Sequence, residues 1–242
     1  DNEFEKEFYV YDKTMADADY KKIYLIPELE SRLDFININR QTQEPGIKKE
    51  VARKLDVIRY ALQHEEKITR SNFQYTANLH IDRYDSSVNI PLINYLETLK
   101  RFYINRYNKA DQEKENKIAR LTSTPQKEKI FENQRNAYQN EAITDLVRNT
   151  MEQNRIIEKD GKLVQKIYPV YKDPDPDHMV DFDAQFYMPA KHIFNQNIDT
   201  YWFNLGVICS MILLLTLTLY WEVLRRIIDQ LSTISNPLEK RM

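Results

Sequence analysis

Cysteine is nearly absent: Cys209 is the only one in 242 residues. It sits inside an apolar run, so the polar part of the chain can form no disulfide, zinc–thiolate site or cysteine nucleophile. That part must hold itself together by packing. Glycine is also scarce, at 3 residues, which disfavours a turn-rich β fold because glycine supplies most positive-φ positions in tight turns. Gly46, Gly161 and Gly206 are isolated, so none belongs to a phosphate-cradling loop followed by Lys and Ser or Thr. His64, His80, His178 and His192 are scattered and HExxH does not occur, which leaves no zinc-protease pattern. Ser86 and Ser87 lie in no GxSxG turn. No catalytic residue, cofactor-binding residue or metal ligand is therefore assigned, and no cofactor is expected within these residues. A large charge of one sign is missing as well. The formal net charge is -2, with acidic and basic residues interleaved, so nothing in the composition attracts a nucleic-acid backbone.

One cluster of chemistry-bearing residues does stand out: Asp173, Asp175, Asp177, His178, Asp181 and Asp183. Carboxylates so close could ligate a hard cation. The interspersed Pro174 and Pro176 keep the chain extended, however, and the turn glycine and terminal glutamate of an EF-hand are missing, so the segment reads as a solvated acidic linker.

With 30% charged residues and a mean hydropathy of -0.67, most of the chain belongs in water. The exception runs from Trp202 to Trp221, WFNLGVICSMILLLTLTLYW, without a formal charge. At a rise of about 1.5 Å per residue, such a helix spans a hydrocarbon core of about 30 Å. Tyr201, Trp202 and Phe203 mark one end and Tyr220 and Trp221 the other, as rings do that settle at the two headgroup levels. Arg225, Arg226, Lys240 and Arg241 follow the run, whereas Asp181, Asp183 and Asp199 precede it against Lys191. The positive-inside rule then predicts a cytoplasmic C-terminus and an extracytoplasmic N-terminal region. So large a translocated region needs an export signal, removed or lying upstream of Asp1.

Within the polar region, helical periodicity is the main signal, and the expected fold is mainly α: a helical domain over residues 1–171 with long antiparallel helices and a small β-hairpin. Residues 172–200 are read as a proline-rich, acidic linker and interfacial segment, 201–224 as the transmembrane helix and 225–242 as a cytoplasmic tail. Leu29, Leu33 and Ile36 share a helix face after Pro27, which a helix start tolerates. Gln43-Glu44-Pro45-Gly46 reads as a turn. Ile47, Val51, Leu55, Ile58 and Leu62 form a stripe on a helix reaching about Thr69. Asn89 is expected to cap the next helix, with Pro91 in its first turn and Leu92, Leu96, Leu99, Tyr103 and Tyr107 along one face. The stripe fades over Asp111–Arg120, read as a helical-hairpin tip. Thr124-Pro125 restarts a helix carrying Phe131, Tyr138, Ala142, Leu146 and then Met151. Asp160-Gly161 between apolar stretches signals a type I′ hairpin. Residues from about Tyr20 to Tyr171 are expected to fold without the membrane.

The phrase FYMPAKHIFNQNIDTYWFNLGVICSMILLLTLTLYWEVLRRII, roughly residues 186 to 228, resembles the C-terminal end of large ABC transporters of the Bacteroides group, in which an ATPase domain is fused to an ABCG-like, type-2 permease. The resemblance rests on Phe186, Tyr187, Pro189 and Lys191, then Asp199, Thr200, Tyr201, Trp202, Phe203 and Asn204, and after the span on Thr216, Leu217, Tyr220, Leu224 and Arg225. It implies that a large outer insert precedes the last transmembrane helix, that upstream helices deliver that insert across the membrane, and that ATP is hydrolysed on another domain. The partners it implies are the lipid bilayer, the remaining transmembrane helices and the ATPase domain, with room for a homodimer or an extracytoplasmic protein partner. Phe186, Tyr187, Pro189, Lys191 and Asp199 fall in the segment that would couple the outer domain to the span. A single-pass interaction or sensor protein is the rival reading of the same residues.

Overall fold

The computed structural model describes residues 3–138, 140–176, 185–193 and 196–222. The chain divides after Lys172 into two compact units.

The first unit is built on helices. Helix α1 (Glu3–Tyr20) runs into a π-helical turn, Lys21–Leu25, and on into α2 (Ile26–Asn39) without a break. Pro27 is therefore not the start of a helix but lies within a continuous one. A proline lacks the N–H that would reach the carbonyl four residues back, and its ring crowds that carbonyl. The wider turn just before it relieves this, with the Ile26 N–H donating five residues back to the Lys21 carbonyl. The extra residue also re-aims the apolar stripe: α1 packs along α4, whereas α2 packs mainly against α3.

A short turn at residues 40–44 leads to α3 (Pro45–Thr69), ended by Arg70 in the left-handed region at φ 56°. Residues 70–85 then cross to α4 without regular strands or α-helix. The Glu66 carboxylate anchors this crossing, accepting from the Phe73 N–H at 2.8 Å and the Thr76 hydroxyl at 3.0 Å, while Leu79 is fully buried. Helix α4 (Ser86–Leu121) has 36 residues. Its cap is Asp85, whose carboxylate accepts from the Ser87 N–H at 2.7 Å. Asn89, expected to cap it, instead bonds Asn37 across the core edge at 3.0 Å, and Pro91 falls at the sixth helical residue rather than in the first turn.

The antiparallel partner of α4 is α1. Asp12 pairs with Lys114 at 2.6 Å, Asp17 with Arg106 at 3.4 Å, and Lys22 lies 3.6 Å above the Tyr107 ring. From Asp12 to Asp17 of α1 the partner on α4 falls from 114 to 106, and Lys21 just beyond α1 reaches Tyr103, so the two helices run in opposite directions. Residues 111–120, expected as a solvated tip, form part of this helix and are paired in part with α1. The hairpin's second arm is not one long helix but two, α5 (Pro125–Tyr138) and α6 (Glu141–Arg148), the latter capped by Asn140. Strands β1 (Ile156–Lys159) and β2 (Lys162–Gln165) pair antiparallel around Asp160 at φ 52° and Gly161 at φ 76°, the two positive values a type I′ turn demands. Glu158 clamps this hairpin onto the helices, receiving Arg32 at 2.6 Å and Arg53 at 3.0 Å.

The core gathers Leu29, Leu33 and Ile36 of α2, Val51, Leu55, Ile58 and Leu62 of α3, and Leu92, Leu96, Leu99 and Tyr103 of α4. Each such aliphatic side chain contributes about 1.5–3 kcal/mol on burial. One polar group of contacts interrupts it. Lys21, in the π-turn, donates to Glu65 Oε1 of α3 at 3.1 Å and to the Tyr103 hydroxyl at 3.1 Å, and Tyr103 donates to the other Glu65 oxygen. Burial pushes the Glu65 carboxyl up, but a bond from His64, the Lys21 charge and the Tyr103 bond outweigh it and hold the group below the usual carboxylate range. Burial and the Glu65 charge push the Tyr103 hydroxyl the other way, well above the phenol range.

In the second unit, β3 (Ala190–Ile193) pairs antiparallel with β4 (Gln196–Asp199), and α7 (Thr200–Tyr220) follows directly. The sequence marked no strands within the linker and interfacial segment it placed over residues 172–200; Ala190–Ile193 and Gln196–Asp199 form an antiparallel pair there.

Candidate functional site: the apolar helix and its hairpin collar

Helix α7 has 21 residues, which at about 1.5 Å per residue makes it about 30 Å long. It is the one helix among the described residues that is long and apolar enough to cross a membrane, and none of its apolar window is buried. Ile212, Leu213 and Leu214 are 58%, 64% and 63% exposed, so this is not a core helix of the described protein. Its few polar side chains are satisfied locally. Ser210, Thr216 and Thr218 donate to the carbonyls of Val207, Ile212 and Leu215, each at 2.8 Å. A polar group taken into hydrocarbon needs a bond of that kind.

The N-terminal end of α7 is fixed by the residues before it. Asp199, last residue of β4, accepts from the Tyr201 N–H at 2.8 Å and caps the helix. Its negative charge also suits the positive end of the helix dipole. The Thr200 N–H donates to the Pro189 carbonyl at 2.9 Å and the Thr200 hydroxyl to the Met188 carbonyl at 2.6 Å. Lys191 of β3 reaches Asn204 at 3.2 Å, and its ammonium lies 5.2 Å from the Phe203 ring centre. Pro189, Lys191, Asp199, Thr200, Phe203 and Asn204 are thus brought together as one collar. Phe186 and Tyr187 make an edge-to-face pair at 4.8 Å, with Phe186 largely exposed.

Tyr201 and Trp202 lie at the same end of α7, edge to face at 5.3 Å and both exposed. Tyr220 and Trp221, both exposed, lie at the other. The two aromatic groups are thus separated by the length of the helix. Leu224 and the basic residues Arg225, Arg226, Lys240 and Arg241 lie outside the described residues, as do Asp177, His178, Asp181 and Asp183 of the acidic cluster. Among the described residues no group of three or more His, Cys, Asp or Glu side chains is placed to hold a metal ion.

The sequence did not mark the collar as a hairpin, because Ala190–Ile193 and Gln196–Asp199 lack the β-branched alternation of a half-buried strand. Nor did it join Lys21 and Glu65 to Tyr103, which it placed on the α4 stripe; the three are distant in sequence and meet only through packing. The one available signal was a lysine and a glutamate each falling on an apolar face.

No protein-family model, curated protein or solved structure matches the chain.

Proposed function

We propose that this chain forms the outer domain and final transmembrane helix of an ATP-driven permease of the ABCG-like, type-2 kind, with α7 crossing a bacterial inner membrane. The observation that carries it is α7 itself, apolar on every side, unburied, and flanked by aromatic residues at both ends. The bilayer covers that surface, and the rings sit at its two interfaces. The basic residues after the span keep the C-terminus in the cytoplasm and leave residues 1–172 outside. The resemblance over residues 186–228 supplies the permease. The chain acts by contact and gating, with ATP hydrolysed on another domain.

The collar supports a role in coupling. A hairpin, a helix cap and two backbone contacts from Thr200 make the approach to α7 stiffer than a free tether, so a tilt of the helix is passed to the segment before it.

The self-contained core of residues 1–172 favours a second reading, a single-pass protein whose helical surface meets an extracytoplasmic partner. Purification from native membranes in mild detergent separates the two. A permease component brings with it Mg-ATPase activity that vanadate traps; a chain that purifies alone and without ATPase activity overturns the permease reading. Orientation is tested separately, with an impermeant maleimide on intact cells. Ser123→Cys is expected to react and Ser235→Cys to react only after permeabilisation; the reverse pattern overturns the topology.

A further inference from the structure

A cleft of about 500 Å³ opens between α1, the distal end of α4, α5, α6 and the segment at Val170 and Tyr171. It lies wholly in the first unit. Volumes of this order suit small organic ligands. Its apolar lining comes from Phe8, Ile118, Phe131, Ile143, Val147 and Val170. Four charged side chains join them. Asp12 pairs with Lys114 at 2.6 Å and also lies within electrostatic reach of Arg148; with Arg135 and Arg148 the lining keeps an excess of positive charge.

These two arginines differ. Arg135 is exposed and forms no ion pair among the described residues. Arg148 is half-buried at the last turn of α6, where one Nη donates to the Tyr171 hydroxyl at 3.2 Å. Its Nε is buried with no acceptor in reach. That atom is closed to solvent, so an oxygen entering the cleft meets the Nη edge of the guanidinium, whose planar donors fit two oxygens of a carboxylate or phosphate. Tyr171 holds the guanidinium from one side, and its ring lies 5.8 Å from the guanidinium carbon. The positive charge is therefore positioned in advance beside an apolar wall.

We propose that this cleft binds an amphiphilic anion, an apolar body with one carboxylate or phosphate head. The head takes Arg148, with Arg135 adding charge from the rim, and the body lies against Phe8, Phe131, Ile143 and Val147. A purely apolar ligand would leave both arginines unanswered. A small inorganic anion would leave the apolar lining wet. The inference stands on the cleft alone, so it survives or fails independently of the membrane reading.

The test uses the full chain in lipid nanodiscs, with empty discs measuring partition into lipid. Equilibrium dialysis compares radiolabelled decanoate, decyl phosphate, decanol and inorganic phosphate. Saturable binding of decanoate or decyl phosphate at one site per chain is expected, and the tighter of the two identifies the head. Arg148→Ala is expected to weaken that binding roughly 10- to 100-fold, the worth of a charge-assisted hydrogen bond. Arg148→Lys falls between, because it keeps the charge and loses the fork. Decanol binds more weakly and is indifferent to Arg148. Circular dichroism checks that each variant folds. If Arg148→Ala does not, Arg135→Ala carries the test, since that side chain is exposed and its removal is expected to weaken the anion several-fold by charge alone. Uptake no greater than by empty discs, affinity unchanged in the arginine variants, or inorganic phosphate bound as tightly as decyl phosphate would each overturn the proposal.

Discussion

Replacing Lys21 by methionine keeps the length of the side chain and removes its charge from a place where water cannot compensate. The side chains of Lys21 and Glu65 are 7% and 3% exposed, so the lost ion pair is a buried one. Taking one member of such a pair costs about 3–5 kcal/mol, because the other charge stays buried without its partner. Here Glu65 keeps its bond from Tyr103, which places the expected loss for Lys21→Met near the lower figure, about 3 kcal/mol. Glu65→Leu is expected to cost less, about 2 kcal/mol, since Lys21 retains Asp17 at 3.5 Å. Combining the two leaves only the Tyr103 hydroxyl unanswered, at about 1–3 kcal/mol, well below the sum of the single losses. Adding Tyr103→Phe removes that last polar group and brings the triple variant to wild-type stability or above it, as buried ion pairs replaced by apolar side chains often do. Urea denaturation of the full chain in micelles, followed by far-ultraviolet ellipticity, measures all four. Acid adds a check of sign. The ionised Glu65 carboxyl is held below its ordinary value, so it contributes stability above the usual carboxylate range and loses it as pH falls through its native value. Without Lys21 that native value rises, and the acid transition of Lys21→Met moves to higher pH. Single losses under about 1 kcal/mol, the scale of an exposed pair, or a triple variant as unstable as Lys21→Met, would refute the account.

Alkali is expected to unfold the first unit cooperatively. Burial raises the hydroxyls of Tyr84 and Tyr168 to about 12 and those of Tyr20 and Tyr103 further still. Raised values confer stability that is complete below the unfolded value of about 10 and lost as pH climbs through the native ones; a base titration showing tyrosine ionisation and loss of ellipticity in separate steps would contradict this. Residues 1–172 are expected to fold cooperatively by themselves, whereas a fragment starting at Tyr20 is not, because it uncovers the α4 face that α1 covers; equal urea transitions for the two would count against that role of α1. If the permease proposal holds, a Gly-Ser insertion between Asn195 and Gln196 of the complete protein is expected to reduce substrate-stimulated ATP hydrolysis while leaving the basal rate intact, and unchanged stimulation would remove the collar from coupling.

Several elements were legible because their signals are local. The α3 and α4 stripes follow from apolar spacing alone, the β1–β2 hairpin from Asp160-Gly161, and α7 from an uncharged run. Helix α1 was not legible. Its buried side chains, Phe8, Ala16, Ala18 and Tyr20, are aromatic or small rather than a row of large aliphatics, and much of its contact with α4 is through charges and rings. The π-turn then shifts the apolar period between α1 and α2, so no single helical template fits both. Pro91 and Asn89 place the expected start of α4 several residues late, which hides Asp85 as its cap. The cleft between α1 and α6 joins residues far apart in sequence, and no local pattern marks Arg148.

The π-turn makes residues 21–25 a place where the gene can change length in one direction only. Five residues of the wider turn cover about the same rotation as four of an α-helix, so one residue removed there would restore an ordinary α-helical turn and leave both flanks facing as before. Leu29, Leu33 and Ile36 would keep their place on α3 and α1 its seat on α4, but Pro27 would again crowd the carbonyl behind it. A one-residue insertion has no such outlet and would swing one flank by about 100° against the other. Insertions should therefore collect in the surface connections of the first unit and be purged from this stretch, although most of its side chains could be exchanged for others of like size.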